Sequence, residues 1–208
     1  MTHPDFGRSP ITEIWNASSP LAIIMLRNSN QSFGWISIFL HWSIAIGVVL
    51  QFAFGIYMLS LDYYDPDYHS LPHYHKSLGV LLGCLIIFRL IWSGINHRPE
   101  SLQNDRLIRV GARWVQWLMN FLLVLVVTMG YLISTATGDG VWVFDWFEIP
   151  AVIPAISNQE DLAGRWHYWL ACLVLALAGL HAAGAIKHHF IDKDRTLRRM
   201  FVGNNQKQ

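Results

Sequence analysis

Residues 165–190 read RWHYWLACLVLALAGLHAAGAIKHHF. No Asp, Glu, Lys or Arg lies between Arg165 and Lys187, so the segment offers the ~20 mostly apolar positions that a membrane-crossing helix needs. It nevertheless contains His167 and His181. Ionisable side chains at membrane depth are costly and by default mark a functional site. The segment therefore predicts a transmembrane helix that carries function.

Three further segments of the 208-residue chain share this pattern. Charged residues are absent from 28–61 and 114–138, and Arg89 alone interrupts 77–97. Only 14% of all residues are charged, whereas soluble domains have about a quarter. The two cysteines exclude a disulfide scaffold, and the net charge of +1 gives no basic field for nucleic acid. The sequence predicts an all-α membrane protein, a bundle of four transmembrane helices near 36–60, 72–94, 114–135 and 165–187.

The basic residues are unevenly distributed over the segments that join these helices. The loops 60–76 and 136–165 contain eight acidic residues and only Lys76 and Arg165 as basic ones, which leaves 13 of the 15 basic residues on the opposite side. Because cytoplasmic segments carry the excess of Lys and Arg, both termini are predicted to be cytoplasmic. The expected organisation is an N-terminal cytoplasmic extension at 1–34, a transmembrane helical domain at 35–190 and a basic cytoplasmic tail at 191–208.

Four histidines in or at the ends of the predicted spans match in pairs. His167 and His181 are 14 residues apart, so they lie on nearly one helix face, about 21 Å apart along the axis. His41 is expected at the depth of His181, and His75 at the depth of His167. Two imidazoles on facing helices are an axial ligand set for haem iron. A single membrane histidine can instead hydrogen-bond a neighbouring helix, but two matched pairs predict two haem sites.

Other residues in the first two spans fit a haem-binding role. Gly55 lies 14 residues after His41 on the same face of the first helix, so this face has no side chain at the outer level. On the second helix, Gly79 and Gly83 likewise leave a strip without side chains, one and two turns after His75. A flat macrocycle needs such clearance. Arg89 lies on the same face and is expected to bind a haem propionate. Two alternatives stay open, since the glycines could serve close helix packing and the arginine could extend to the membrane surface.

His188 follows His181 by seven residues, where the fourth helix meets the cytoplasmic headgroups. Lys187 and His189 flank it. A neutral imidazole at this position could hydrogen-bond a quinone carbonyl and pass it a proton. The alternative is an ordinary interfacial residue.

At these residues the chain resembles the bacterial cytochrome b561 family of small four-helix, di-haem inner-membrane proteins. The resemblance covers about 35–203, and LHAAGAIKHHF at 180–190, with the tail DRTLRRM, is its most specific part. Shorter matching stretches are LHW at 40–42, HKSLG at 75–79, FRL at 88–90, MGY at 129–131 and WHY at 166–168. The resemblance implies two b-type haems in a bacterial inner membrane, and exchange of electrons with ubiquinone. It implies these axial ligands: His41, His75, His167 and His181.

One activity of the family is oxidation of superoxide at the periplasmic side with reduction of ubiquinone. The first hypothesis is therefore an oxidoreductase, an electron carrier that takes electrons from a periplasmic donor, with superoxide as the first candidate, and reduces ubiquinone. Related cytochromes serve as membrane subunits of periplasmic hydrogenases. The second hypothesis is therefore a docking subunit for a periplasmic redox partner, with the acidic loops and the aromatic loop 141–156 as its docking surface. That loop is too short to span and is expected to form an interfacial lid. A third hypothesis, a histidine-lined metal transporter, predicts a protein without haem absorption.

Overall fold

The computed structural model describes residues 26–102, 105–154 and 156–202. Within these ranges the main elements are four long helices and one small hairpin. The helices are α1 (Trp35–Met58), α2 (Ser70–Ile95), α3 (Arg106–Ser134) and α4 (Gln159–Phe190), and the hairpin pairs β1 (Val141–Val143) with β2 (Phe147–Ile149). All four helices are long and apolar enough to cross a membrane. The predicted all-α fold with four membrane-crossing helices is confirmed.

The third and fourth helices begin earlier than the sequence predicts. α3 begins at 106 instead of 114, and α4 begins at 159 instead of 165. The Asp105 side chain caps α3 by accepting a backbone hydrogen bond at 2.8 Å. Glu160 and Asp161 lie in the first turn of α4, where negative charge stabilises the helix dipole. The absence of charge marks the part of a helix that lies in the bilayer, whereas a helix itself continues until its backbone is capped.

Side chains from all four helices meet in one apolar cluster at the centre of the bundle. Its buried members are Ile44 on α1, Leu82 and Ile86 on α2, Leu122 and Leu123 on α3, and Val174 on α4. α2 packs against α1 and α3, and α4 packs against α3 and α1. The helices therefore form a ring of up-and-down neighbours, the usual topology of a four-helix bundle with short connections.

The connection between α3 and α4 contains the hairpin and closes one end of the bundle. Val143 is fully buried, whereas its neighbour Trp142 is half exposed. The Phe144 N–H donates a hydrogen bond to Ser77 Oγ at 3.0 Å, which joins the turn of the hairpin to α2. The eight acidic residues of the two loops lie on this side of the bundle, which we call the acidic end.

Arg199 joins three chain segments at the opposite end, which we call the basic end. Its guanidinium donates to the carbonyl of Gln31 at 2.5 Å and to that of Glu100 at 2.9 Å. The Trp42 indole N–H donates to the carbonyl of Met200 at 2.8 Å. The start of the tail is thus folded against α1 and against the segment that precedes it. Residues 1–25 and 203–208 of the predicted extension and tail lie outside the described residues.

Candidate haem-binding sites

His41 on α1 and His181 on α4 face each other near the basic end. Their ring centroids are 6.4 Å apart, and the ring planes are inclined at 64°. Ile44, about one turn after His41, belongs to the central cluster. Residues three apart on a helix share a face, so α1 directs both side chains into the bundle. Trp42 packs edge-on against His41, and its indole N–H binds the tail at the carbonyl of Met200.

His75 on α2 and His167 on α4 form the corresponding pair near the acidic end. Their ring centroids are 6.2 Å apart, and the ring planes are inclined at 79°. The Nδ1 of His167 lies 2.9 Å from the carbonyl oxygen of Val126 on α3. Because a carbonyl only accepts, this nitrogen carries the proton, and Nε2 keeps its lone pair for a ligand bond. The buried Nδ1 of His75 has no hydrogen-bond partner among the described residues.

The spacing within both pairs fits a metal ion between the rings. A direct N–H···N hydrogen bond would bring two imidazole centroids to about 5 Å. Two metal–nitrogen bonds of about 2 Å would place the centroids about 6 Å apart. The observed distances of 6.4 and 6.2 Å agree with the second arrangement. Histidines presented by facing helices are a suitable axial ligand set for haem, so both pairs fit this cofactor.

The three glycines of the sequence analysis have different surroundings. A Cβ on Gly55 would lie 3.7 Å from His75 Cε1 and would meet nothing else within 4 Å. A Cβ on Gly79 would lie 3.0 Å from Gln51 Nε2, and one on Gly83 would lie 2.9 Å from a methyl group on α3. Gly55 therefore borders the acidic-end pair. Of the two roles left open for Gly79 and Gly83, the structure supports close packing of α2 against α1 and α3.

Arg89 is half buried on α2, and its charge lies in the neighbourhood of His41 and His181. Its guanidinium has no hydrogen-bond or ion-pair partner within the described ranges. An arginine in an apolar bundle needs an acidic group, and guanidinium binds carboxylates with two parallel hydrogen bonds. The binding of a propionate by this side chain stays a prediction.

His188 lies in the last turn of α4, next to two carboxylates that follow the helix. Its Nδ1 is 2.7 Å from Asp192 Oδ2 and 3.6 Å from Asp194 Oδ2. Lys187 Nζ donates to both oxygens of Asp192, at 2.9 and 3.2 Å. These hydrogen bonds, together with the charge of the ammonium group, hold the pKa of Asp192 below its ordinary value. The cluster therefore keeps an ionised carboxylate against the imidazole.

Comparison with known proteins identifies the family. A family model described as prokaryotic cytochrome b561 matches residues 32–203. The chain belongs to this family. Cytochrome b561 homolog 2 of Escherichia coli (strain K12) is 42% identical over 174 residues, which cover 83% of this chain and 93% of that protein. The probable superoxide oxidase CybB of Yersinia pestis is 23% identical over 174 residues, which cover 82% of this chain and 96% of that protein. Cytochrome b561 homolog 1 of Escherichia coli (strain K12) is 25% identical over 170 residues, which cover 78% of this chain and 93% of that protein.

Membership of this family confirms the resemblance that the sequence motifs indicate. The chain is a membrane electron carrier, a cytochrome of the b561 type that uses haem b.

Two contacts of the acidic-end pair in this cytochrome were missed from the sequence. The Val126 carbonyl accepts from His167, and Gln51 Nε2 donates to the carbonyl of His75 at 2.9 Å. Both contacts use a backbone oxygen, which no residue pattern identifies. The one available signal was a polar amide, Gln51, inside a predicted span.

Proposed function

We propose that this cytochrome carries electrons across a bacterial inner membrane through two b-type haems. His75 and His167 hold one haem near the acidic end, and His41 and His181 hold the other near the basic end. When bound, each haem iron accepts and releases one electron. The main support is that α4 contributes one histidine to each pair, with 6.2 and 6.4 Å between ring centroids.

The side chains of both sites suit electron transfer. A haem held by an imidazole on each side would supply one-electron chemistry and would offer no free ligand position to dioxygen. Gly55 leaves space for the macrocycle beside His75, where an added Cβ would meet only the imidazole. Arg89 supplies a positive charge for a propionate at the basic-end site.

The charge distribution supports cytoplasmic N- and C-termini. Of the 15 Lys and Arg residues, 13 fall at the basic end or in the segments that continue from it. Cytoplasmic segments carry such an excess, so the acidic end faces the periplasm in this proposal.

The proposed donor is superoxide at the acidic end, and the proposed acceptor is ubiquinone at the basic end. Each superoxide anion loses one electron and becomes dioxygen. Ubiquinone gains two electrons and two protons and becomes ubiquinol, so one ubiquinol forms for every two superoxide anions. A relative at 23% identity is named a probable superoxide oxidase, which supports this donor. Lys76 follows His75 directly, and Arg165 precedes His167 by two residues, so both ligands have a positive charge nearby.

Protons for ubiquinone are proposed to pass through His188. This residue lies about two turns beyond His181 along α4. Asp192 Oδ2 lies 2.7 Å from its Nδ1, so an ionised carboxylate faces this side of the ring. A histidine oriented by a carboxylate can transfer protons at neutral pH. The opposite nitrogen, Nε2, is the proposed contact to a quinone carbonyl.

Rapid mixing of the purified protein with superoxide and ubiquinone tests this function. We expect haem reduction faster than spontaneous dismutation, and one ubiquinol for every two superoxide anions. The Lys76→Gln variant should be reduced more slowly, because it lacks a positive charge near the acidic-end haem. Lys193→Gln, which removes a charge at the basic end, is the matched control and should retain the wild-type rate. If superoxide neither reduces the haems nor yields ubiquinol, it is not the donor.

The surface of the acidic end supports a second candidate function. Eight acidic residues outnumber two basic ones there, which works against the attraction of superoxide. Large aromatic side chains are exposed on the same surface, with Tyr64 at 90% and Trp146 at 80%. Acidic groups around exposed aromatics suit a basic periplasmic oxidoreductase, such as a hydrogenase-like enzyme. In this function the cytochrome is a docking subunit that relays electrons between that enzyme and the quinone pool.

Co-purification with a salt-sensitive partner tests the docking function. A basic periplasmic redox protein should stay bound at low ionic strength, dissociate at high ionic strength, and reduce the haems while bound. The Asp145→Lys variant, altered in the turn of the hairpin, should retain less of it. A partner that does not exchange electrons with the haems would contradict this function.

A further inference from the structure

α3 forms a slot that accepts the ring of His167. A Cβ on Gly130 would lie 3.2 Å from Cε1 of this ring and 3.4 Å from its Nδ1. The Nδ1–H donates to the carbonyl of Val126 at 2.9 Å. Val126 lies one helical turn before Gly130, so its carbonyl is also the acceptor for the Gly130 N–H within α3. A carbonyl oxygen has two lone pairs and can accept both hydrogen bonds.

Glycine at position 130 is what makes this carbonyl accessible. Side chains on a helix lean toward its N-terminus, so a side chain at 130 would extend over the carbonyl of residue 126. The imidazole of His167 occupies that space. Among the described residues, His167 is the one member of the two pairs whose ring makes a hydrogen bond, and the Nδ1 of its partner His75 is buried without one. The slot therefore serves one ligand of one site.

We propose that Gly130 is a positioning residue for the acidic-end haem. By exposing the Val126 carbonyl, it fixes the tautomer and the angle of the His167 ring and makes the imidazole a stronger electron donor to iron. A stronger donor favours the oxidised iron, so the slot lowers the reduction potential of this site. The inference rests on the haem ligation proposed above.

The Gly130→Ala variant of the full-length protein tests the inference through haem content and redox titration. An alanine methyl must displace the ring by a few tenths of an ångström, because its closest approach would be 3.2 Å. Loss of such a supporting contact typically weakens metal binding ~10–100-fold. We expect the acidic-end haem either to be partly lost or to show a higher potential, up to a tenfold change in the reduction equilibrium, about 59 mV for one electron. The basic-end haem should not change.

Two other glycines provide matched controls for this variant. A Cβ on Gly111, on the same helix, would meet nothing within 4 Å, so Gly111→Ala should leave both haems unchanged. A Cβ on Gly83 would meet α3 at 2.9 Å without touching a histidine. Gly83→Ala therefore strains the packing against Val127 on α3 and leaves Gly130 in place. An equal effect of Gly83→Ala on the acidic-end haem would overturn the positioning role.

Nδ-methylhistidine in place of His167 removes the same hydrogen bond without changing α3, and it decides the question if Gly130→Ala fails to fold. It should raise the reduction potential of the acidic-end haem, which is identified as the haem that His75→Ala loses. The same replacement at His75 removes no hydrogen bond and should shift that potential less. Equal shifts of the potential at both positions, or no shift at either, would overturn the inference. If the wild-type protein still binds two haems, the proposed function stays intact in that case. A wild-type protein without two haems would overturn both.

Discussion

Replacement of His167 with alanine should remove one haem and leave the other in place. The two histidine pairs have no side chain in common, and their members on α4 are 14 residues apart, about 21 Å along the helix. Loss of a supporting contact alone typically weakens metal binding ~10–100-fold, and His167→Ala removes a ligand. The haem content per chain is therefore expected to fall by about half. The remaining haem, held by His41 and His181, should still be reduced by ubiquinol.

A pyridine haemochrome assay measures this haem content relative to protein. His69→Ala is the matched control, because His69 lies at the same end but packs against Tyr63 and Tyr68, outside both pairs. It should retain the full haem content. Unchanged haem in His167→Ala would exclude this residue as a ligand. Loss of both haems from a protein that keeps its helical circular dichroism would show that the two sites do not bind independently.

Two further predictions concern the packing of the bundle. Arg199→Ala removes three charge-assisted hydrogen bonds, 2.5, 2.9 and 3.5 Å long, from a partly exposed group. The tail should therefore lose about 2 kcal/mol of local stability. Amide hydrogen exchange at 198–202 should then become roughly 30-fold faster. The control variant Arg198→Ala should leave the exchange rates unchanged. Equal exchange rates in the two variants would contradict the assigned contacts of Arg199. Gly83→Ala should cost about 1–3 kcal/mol through overpacking and lower the Tm in detergent. Gly94→Ala, where a Cβ meets nothing within 4 Å, should not lower it, and a similar loss in both variants would refute the packing role of Gly83.

The spans and the histidine pairs could be predicted because each depends on a short-range rule. Uncharged segments form helices in a bilayer, since the backbone must satisfy its own hydrogen bonds there. A spacing of 14 residues places His167 and His181 at two depths on nearly one face, and partners of matching depth then follow from the direction of each span. The same rule did not locate the first residues of α3 and α4, because helices continue past the hydrocarbon until a cap ends them.

Contacts with backbone atoms, by contrast, could not be predicted from residue types. Arg199 binds a carbonyl 168 positions away along the chain, and every residue type provides such a carbonyl. The hairpin turn has Phe144 at φ 47° and Asp145 at φ 59°, although such turns favour Asn and Gly. Tertiary packing imposes this conformation, with Ser77 accepting from the Phe144 N–H. The slot at Gly130 was missed for the same reason, because its functional group is the Val126 carbonyl.

The central claim is that each histidine pair encloses one haem iron. Anomalous diffraction at the iron absorption edge, from crystals of the haem-loaded protein, locates the iron atoms directly. We expect two peaks per chain, one between His41 and His181 and one between His75 and His167, roughly 20 Å apart. A single peak, or peaks away from these rings, would contradict the claim.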